Sequence, residues 1–278
     1  DLDPQGQCAT ILGLKPEPGA FNLLVAEAPF SQVMRLTDRK GLMVILGDRS
    51  RMALIAHELA HAWTGNLVTN ATWDDFWLNE GWTTYADHRI TEALEGPEVA
   101  GLLQAVLLDA LREDIRTFGP DSPFTCLKTS LAGIDPDAVF SRVPYMKGQL
   151  FLLSLEQAVG RPRFDAFLRD YIRRFQFQSL TTEDFLAFLG QELPEAAEAV
   201  DVQAWVYRAG LPESLPAMRS ALYDEVVRRR REFEAGAFPS AVEAATWHPY
   251  QRILFLRLLP PAISIDDCAR VEASLGLR

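Results

Sequence analysis

The chain holds four histidines in 278 residues, and two of them, His57 and His61, stand four apart with Glu58 between them. On a helix, residues i and i+4 project from one face about a turn apart, which lets both imidazoles reach one ion. Zinc accepts neutral imidazole at about 2.0–2.1 Å and tolerates open tetrahedral or five-coordinate geometry. Glu58 follows the first histidine directly and points beside such an ion. There it can take a proton from water, but it is poorly aimed to ligate. A packed or surface histidine pair is the bland alternative.

A hydrolytic zinc centre needs a third protein ligand and one open position. Glu80, in the segment Trp77-Leu78-Asn79-Glu80-Gly81, follows His61 with eighteen residues between them. Gly65-Asn66 and Thr69-Asn70-Ala71 supply turn chemistry for the chain to come back. Most glutamates are solvated, but Trp73, Phe76 and Trp77 just before Glu80 place it on a buried face. Asp87 lies seven residues further on, two turns along the same helical face. It is a candidate acceptor to orient a bound imidazole, with an ordinary exposed aspartate as the alternative. His88 and His248 read as ordinary polar or packed residues, and Arg228–Arg231 as a solvated helix face.

Helices must carry these residues, and from Arg51 onward the pattern is helical. Met52–Trp63 is apolar-periodic and ends before Gly65-Asn66. Thr72–Leu94 is stopped by Gly96-Pro97, and Glu98–Phe118 runs to Gly119-Pro120. Pro144 suits the first position of a helix reaching Val159 and closed by Gly160. Phe164–Phe175 is another helix. Thr181 with Asp184 resembles a capping box for Glu183–Glu192. Val202–Arg208 ends at Gly210-Leu211-Pro212, where a domain boundary is placed. Three helices follow, near 216–234, 241–258 and 264–275. Before all of these, Phe21–Ala28 and Gly41–Leu46 are short apolar runs that predict strands covered on both faces.

His57–Tyr85 reads HELAHAWTGNLVTNATWDDFWLNEGWTTY. It closely resembles the zinc aminopeptidases of the aminopeptidase N type, the gluzincins, and is most like the branch containing leukotriene hydrolase and aminopeptidase B. Asp135-Pro136-Asp137, Val143-Pro144-Tyr145-x-Lys147-Gly148 and Ala204-Trp205-Val206-Tyr207-x-x-Gly210-Leu211-Pro212 match the same branch. The resemblance spans roughly residues 21–212. It implies one zinc ion held by His57, His61 and Glu80, Glu58 as the general base, and Tyr145 as the phenol that hydrogen-bonds the oxyanion.

Two departures stand out. The family's Gly-x-Met-Glu-Asn motif, whose glutamate grips the free amino terminus, is replaced by Arg35-Leu36-Thr37-Asp38-Arg39-Lys40. With Gly41-Leu42 aligned to the family's usual continuation, Asp38 falls where that glutamate belongs and is the candidate amine anchor, with an ordinary loop residue as the alternative. The family's large β-rich amino-terminal domain has no room before the zinc helix, so either the chain is a fragment or its cleft is more open. Asp137 matches the acid tied to the branch's epoxide hydrolysis and is a candidate substrate-binding residue. Phe140, however, stands where that enzyme has a tyrosine.

The expected fold is α+β and predominantly α. A thermolysin-like catalytic domain comprises a β-containing lead-in over 1–50 and a helical lobe over 51–212, and a short helical domain over 213–278 follows. The expected activity is zinc-dependent hydrolysis of peptides, with removal of amino-terminal residues preferred. An endopeptidase with an open cleft and a non-catalytic zinc-binding scaffold are the alternatives.

Composition sets the outer bounds. Hydrophobic residues make up 48% and charged residues 23% of the chain, an ordinary globular balance. No apolar run approaches the roughly 18 to 20 residues that span a bilayer. The net charge is −11, and residues 211–278 hold nine acidic and nine basic residues, so the excess lies in 1–210. Such a chain lacks the basic surface of a nucleic-acid binder. Three distant cysteines (Cys8, Cys126, Cys268) show no metal-ligand spacing and read as reduced thiols, which fits a cytoplasmic location.

Overall fold

A computed structural model describes residues 34–36, 43–45, 52–217, 220–260 and 262–276. The strand expected over Phe21–Ala28 and the candidate Asp38 lie outside them. Two compact units divide the chain, residues 1–62 and 63–278. No helix among the described residues is long and apolar enough to cross a membrane.

In the first unit, β1 (Met34–Leu36) and β2 (Met43–Ile45) pair antiparallel, with Arg35 opposite Val44. The strand expected over Gly41–Leu46 is thus present, with a partner that the sequence pattern did not single out. Helix α1 covers Met52–Ala60. The His61 N–H still donates to the His57 carbonyl at 3.2 Å, so the helical turn continues one residue past Ala60.

The second unit is mostly helical. Its elements are β3 (Val68–Asn70), α2 (Trp77–Glu95), α3 (Pro97–Phe118), α4 (Gly148–Val159), α5 (Arg161–Phe175), β4 (Gln178–Leu180) and α6 (Thr182–Glu192). Short helices α7 (Pro194–Ala199) and α8 (Val202–Val206) follow, then α9 (Ala221–Glu234), α10 (Ala241–Ala245), α11 (Pro249–Leu258) and α12 (Ile265–Leu275). β3 and β4 pair in parallel, Thr69 opposite Ser179. At three residues each, they are too short for an alternation pattern to reveal.

Sequence punctuation sets most helix ends. Thr181 and Asp184 form the expected capping box on α6. Gly160 closes α4 at φ +80°, a conformation that glycine adopts at little cost. The single helix expected over 241–258 is two helices, because Pro249 has no N–H to continue the ladder. His248 instead caps α11, accepting from the Tyr250 N–H at 3.3 Å. The helix expected from Thr72 begins as a 3₁₀ turn over Trp73–Asp75 and becomes α-helical only at Trp77.

Two apolar clusters share α3. Leu108, Leu111 and Ile115 join a core built from α2, α4, α5 and α6. There Trp82 is stacked between Tyr171, 5.0 Å away, and Phe164, 5.9 Å away. Nearer the start of α3, Leu102 and Val106 join Val226, Phe233, Leu254, Phe255 and Leu275 from the carboxy-terminal helices.

At the crossing of α2 and α4, Gly81 meets Gly148. A Cβ placed on Gly81 would stand 2.9 Å from the Gly148 Cα and 3.2 Å from the Pro144 carbonyl oxygen. Only backbone fits there. This contact sets the helix that bears Glu80 directly against the turn that bears Tyr145.

Candidate active site

In the first unit, α1 presents His57 and His61 from one face, their ring centroids 4.8 Å apart and nearly perpendicular. Both are half-buried, and Glu58 is exposed beside them. An i, i+4 pair with water-accessible rings and an adjacent carboxylate is the arrangement the motif requires.

In the second unit, Glu80 sits in the first turn of α2 and is buried. The positive end of the helix dipole favours a carboxylate there. The chain just beyond His61 is anchored to the same helix. The hydroxyls of Thr64 and Thr83 lie 2.7 Å apart, both buried. Asp87 is half-buried two turns along α2, its Oδ1 accepting from Thr91 at 3.4 Å.

Tyr145 lies in a π-helical turn, Val143–Lys147, that leads into α4. Such one-residue insertions into helices often mark functional positions. Its half-buried ring meets Phe76 and Phe140 edge-on, each at 6.0 Å. Those two phenylalanines, with Trp73, Trp77, Leu127, Leu131 and Pro144, line an apolar cavity of about 140 Å³. Asp137 is the one carboxylate on its wall, exposed on a 3₁₀ turn capped by Asp135. A larger groove of about 760 Å³, formed by residues around 199–216 with part of α4, contains none of the expected site residues.

The three tryptophans near the motif take different roles. Trp77 is fully buried yet borders the cavity, Trp73 lines it from an exposed position, and Trp82 is core.

Sequence reasoning passed over two buried ionisable groups beside the cavity. Asp75 is fully buried and accepts four hydrogen bonds: from Thr72 Oγ1 at 2.7 Å, Lys128 Nζ at 2.5 Å, and the Thr182 N–H and Oγ1 at 2.7 and 2.9 Å. Burial pushes its carboxyl up, but Lys128, Thr72 and Thr182 outweigh that and hold it below the ordinary value. Lys147 is fully buried too, and desolvation brings its ammonium down to about 8, partly opposed by Cys126. Apolar neighbours were the available signal for Lys147: Val143, Met146 and Leu150 surround it in sequence.

The Peptidase family M1 domain matches residues 36–206. The chain belongs to peptidase family M1. The resemblance read from His57–Tyr85 therefore holds. Among family M1 relatives, the chain is 39% identical over 221 residues to leucine aminopeptidase 2 of Sclerotinia sclerotiorum, covering 77% of this chain and 36% of that protein. It is 36% identical over 245 residues to leukotriene A-4 hydrolase of Xenopus laevis, covering 84% of this chain and 40% of that one. The structure of yeast LTA4 hydrolase in complex with bestatin superimposes with a TM-score of 0.69 at 34% identity, covering 80% of this chain and 39% of that one. The chain thus spans about two fifths of the length of these relatives.

Proposed function

We propose that this chain is a zinc aminopeptidase that hydrolyses the first peptide bond of peptide substrates. The observation that carries the reading is the exposed Glu58 beside two imidazoles on one helix turn, in a chain of family M1. The donor set suits zinc: two imidazoles and one carboxylate are three of the four ligands of a tetrahedral ion, and a catalytic ion keeps the fourth position for water. His57, His61 and Glu80 hold one ion. Zinc bound there supplies a Lewis acid for the scissile carbonyl and lowers the pKa of water. Asp87 orients a ligating imidazole.

The other residues carry the proton and the charge. Glu58 takes a proton from the attacking water and delivers it to the departing amine. The Tyr145 phenol donates a hydrogen bond to the developing oxyanion. The apolar cavity beside Tyr145 receives a substrate side chain, with Asp137 at its rim. Asp38 grips the free amino terminus. The fold that serves this chemistry is a thermolysin-like domain, with a lead-in over 1–50 and a helical lobe over 51–212, followed by a short helical domain over 213–278. Free thiols at Cys126 and Cys268 support a reducing, cytoplasmic location.

A second reading rests on the replaced Gly-x-Met-Glu-Asn motif: without its glutamate, peptide hydrolysis is better supported than amino-terminal specificity, and an endopeptidase is the alternative. Free and amino-blocked peptides, with and without a chelator, separate the readings. An aminopeptidase cuts only free peptides, and only with metal. Cleavage of blocked peptides establishes the endopeptidase, and no cleavage in any arm overturns both.

A further inference from the structure

Tyr145 is held in a π turn, a backbone arrangement less favourable than the α-helix that follows it. Relaxing the turn into α register would rotate Tyr145 by about 100° about the helix axis. Something must hold the turn open. Pro144 fixes one φ, whereas the Met146 N–H still donates in α register, to the Arg142 carbonyl at 2.8 Å. The turn ends on Lys147.

The Lys147 side chain leaves the end of the turn, just before α4, and is fully buried. Its Nζ donates to the carbonyl of Thr125 at 2.9 Å and to that of Arg208 at 2.8 Å. Among the described residues the titratable group that faces it is the Cys126 thiol, and no carboxylate does. A charged group so placed is costly. Its two acceptors belong to strands of chain that are themselves joined. The Leu127 and Lys128 N–H groups donate to the Val206 carbonyl at 3.1 and 3.0 Å. The Gly210 N–H donates to Thr125 Oγ1 at 2.8 Å, and Cys126 Sγ reaches the Tyr207 carbonyl at 3.4 Å. Residues 124, 126 and 127 of the first segment line the cavity together with Pro144 and Phe140.

We propose that Lys147 is a positioning residue that ties the turn carrying Tyr145 to the cavity wall, fixing where the phenol stands relative to a side chain in the cavity. Two charge-assisted bonds from one ammonium hold both partners to a common point. The role rests on the reading of Tyr145 as oxyanion donor, and it deepens that reading by linking the donor to the side-chain pocket.

The test uses the whole chain. With 3-fluorotyrosine incorporated, Tyr145→Phe assigns the Tyr145 resonance in the fluorine spectrum, a readout that needs neither metal nor turnover. Lys147→Met is expected to shift or broaden that resonance while the other tyrosines keep theirs. An unmoved Tyr145 signal overturns the proposal. On zinc-loaded protein and a leucine anilide, Lys147→Met is expected to lower kcat about tenfold or more, with KM changed less than about threefold. In the Tyr145→Phe background the same substitution is expected to cost no further kcat. A loss that adds in full there also overturns the proposal.

Should Lys147→Met fail to fold, Thr125→Val decides. It loosens the same wall without touching the turn, and is expected to move the Tyr145 signal in a smaller but detectable way. No movement overturns the tie. If Tyr145→Phe alone leaves kcat intact, the phenol's catalytic role fails, while the fluorine shift judges the tie on its own.

Discussion

Thr64 and Thr83 share a buried hydrogen bond, their hydroxyl oxygens 2.7 Å apart. Thr83 Oγ1 also lies 2.8 Å from the Thr64 carbonyl and 2.9 Å from the Asn79 carbonyl. Thr64 comes three residues after His61 and Thr83 three residues after Glu80. The pair therefore fixes the chain beyond one proposed ligand to the helix of another. Thr83→Val keeps the shape and removes the hydroxyl that meets both Thr64 oxygens. It is expected to lower stability by about 1–3 kcal/mol and to weaken zinc binding. Denaturant titration and competition with a chromophoric chelator read the two effects. Unchanged zinc affinity would separate this pair from the metal site.

Glu58→Gln is expected to keep zinc and lose turnover. The amide retains size and polarity but cannot accept the proton from water. General acid–base groups contribute about 10²–10⁴-fold. Zinc content by atomic absorption should match the unmodified chain while kcat falls by that order. Full turnover in the variant would rule Glu58 out as the base.

Gly148→Ala tests the helix crossing. Its Cβ would meet the Gly81 Cα at 2.8 Å, a distance that backbone cannot accommodate without moving. Overpacking of this kind costs about 1–3 kcal/mol. Because α2 carries Glu80 and α4 continues the turn of Tyr145, melting temperature and kcat should fall together. The substitution Gly190→Ala, where nothing lies near the added carbon, is the control.

Lys128→Met should make the fold more sensitive to acid. The Asp75 carboxyl titrates below its ordinary 3.8 in the folded chain, so its contribution is present above 3.8 and is lost as pH falls through the lower folded value. Without Lys128, burial pushes that folded value up. The acid-unfolding midpoint followed by circular dichroism should then move to higher pH. A midpoint that stays put would mean the pair does not carry the effect.

Lys147 also makes stability rise with pH, but its charged form is destabilising where the Asp75 carboxylate is stabilising. Its ammonium falls from an ordinary 10.5 to about 8 in the folded chain. Below about pH 8 both states are protonated and the full burial penalty is present. Between pH 8 and 10.5 the folded chain has released the proton and the unfolded chain has not, so stability rises with pH. The gain approaches about 3 kcal/mol. Measured as the difference from Lys147→Met across that range, it should grow with pH. A flat difference would show that the ammonium titrates normally.

The sequence by itself determined whatever depends on neighbours along the chain. His57, Glu58 and His61 declare their chemistry because helical periodicity alone puts the two imidazoles on one face. Gly160, Thr181 with Asp184, and the Gly96-Pro97 and Gly119-Pro120 stops set helix ends through backbone dihedrals and local hydrogen bonds. The motif around Glu80 was legible because it is long and unbroken. The break at Pro249 was not read, because apolar periodicity runs across it.

The tertiary structure alone decided what depends on partners distant in sequence. Lys147 has apolar neighbours in sequence, but what it holds shows only once its ammonium reaches the carbonyls of Thr125 and Arg208. Asp75 looks solvated until Thr182, more than a hundred residues on, is brought against it. β3 and β4 exist only because two three-residue segments more than a hundred residues apart are brought side by side. Gly81 and Gly148 stand in separate motifs in the sequence, yet their missing side chains are what let α2 and α4 touch. In each case the deciding energy is desolvation or close packing. Both are properties of a neighbourhood assembled from separate parts of the chain, and no local pattern encodes them.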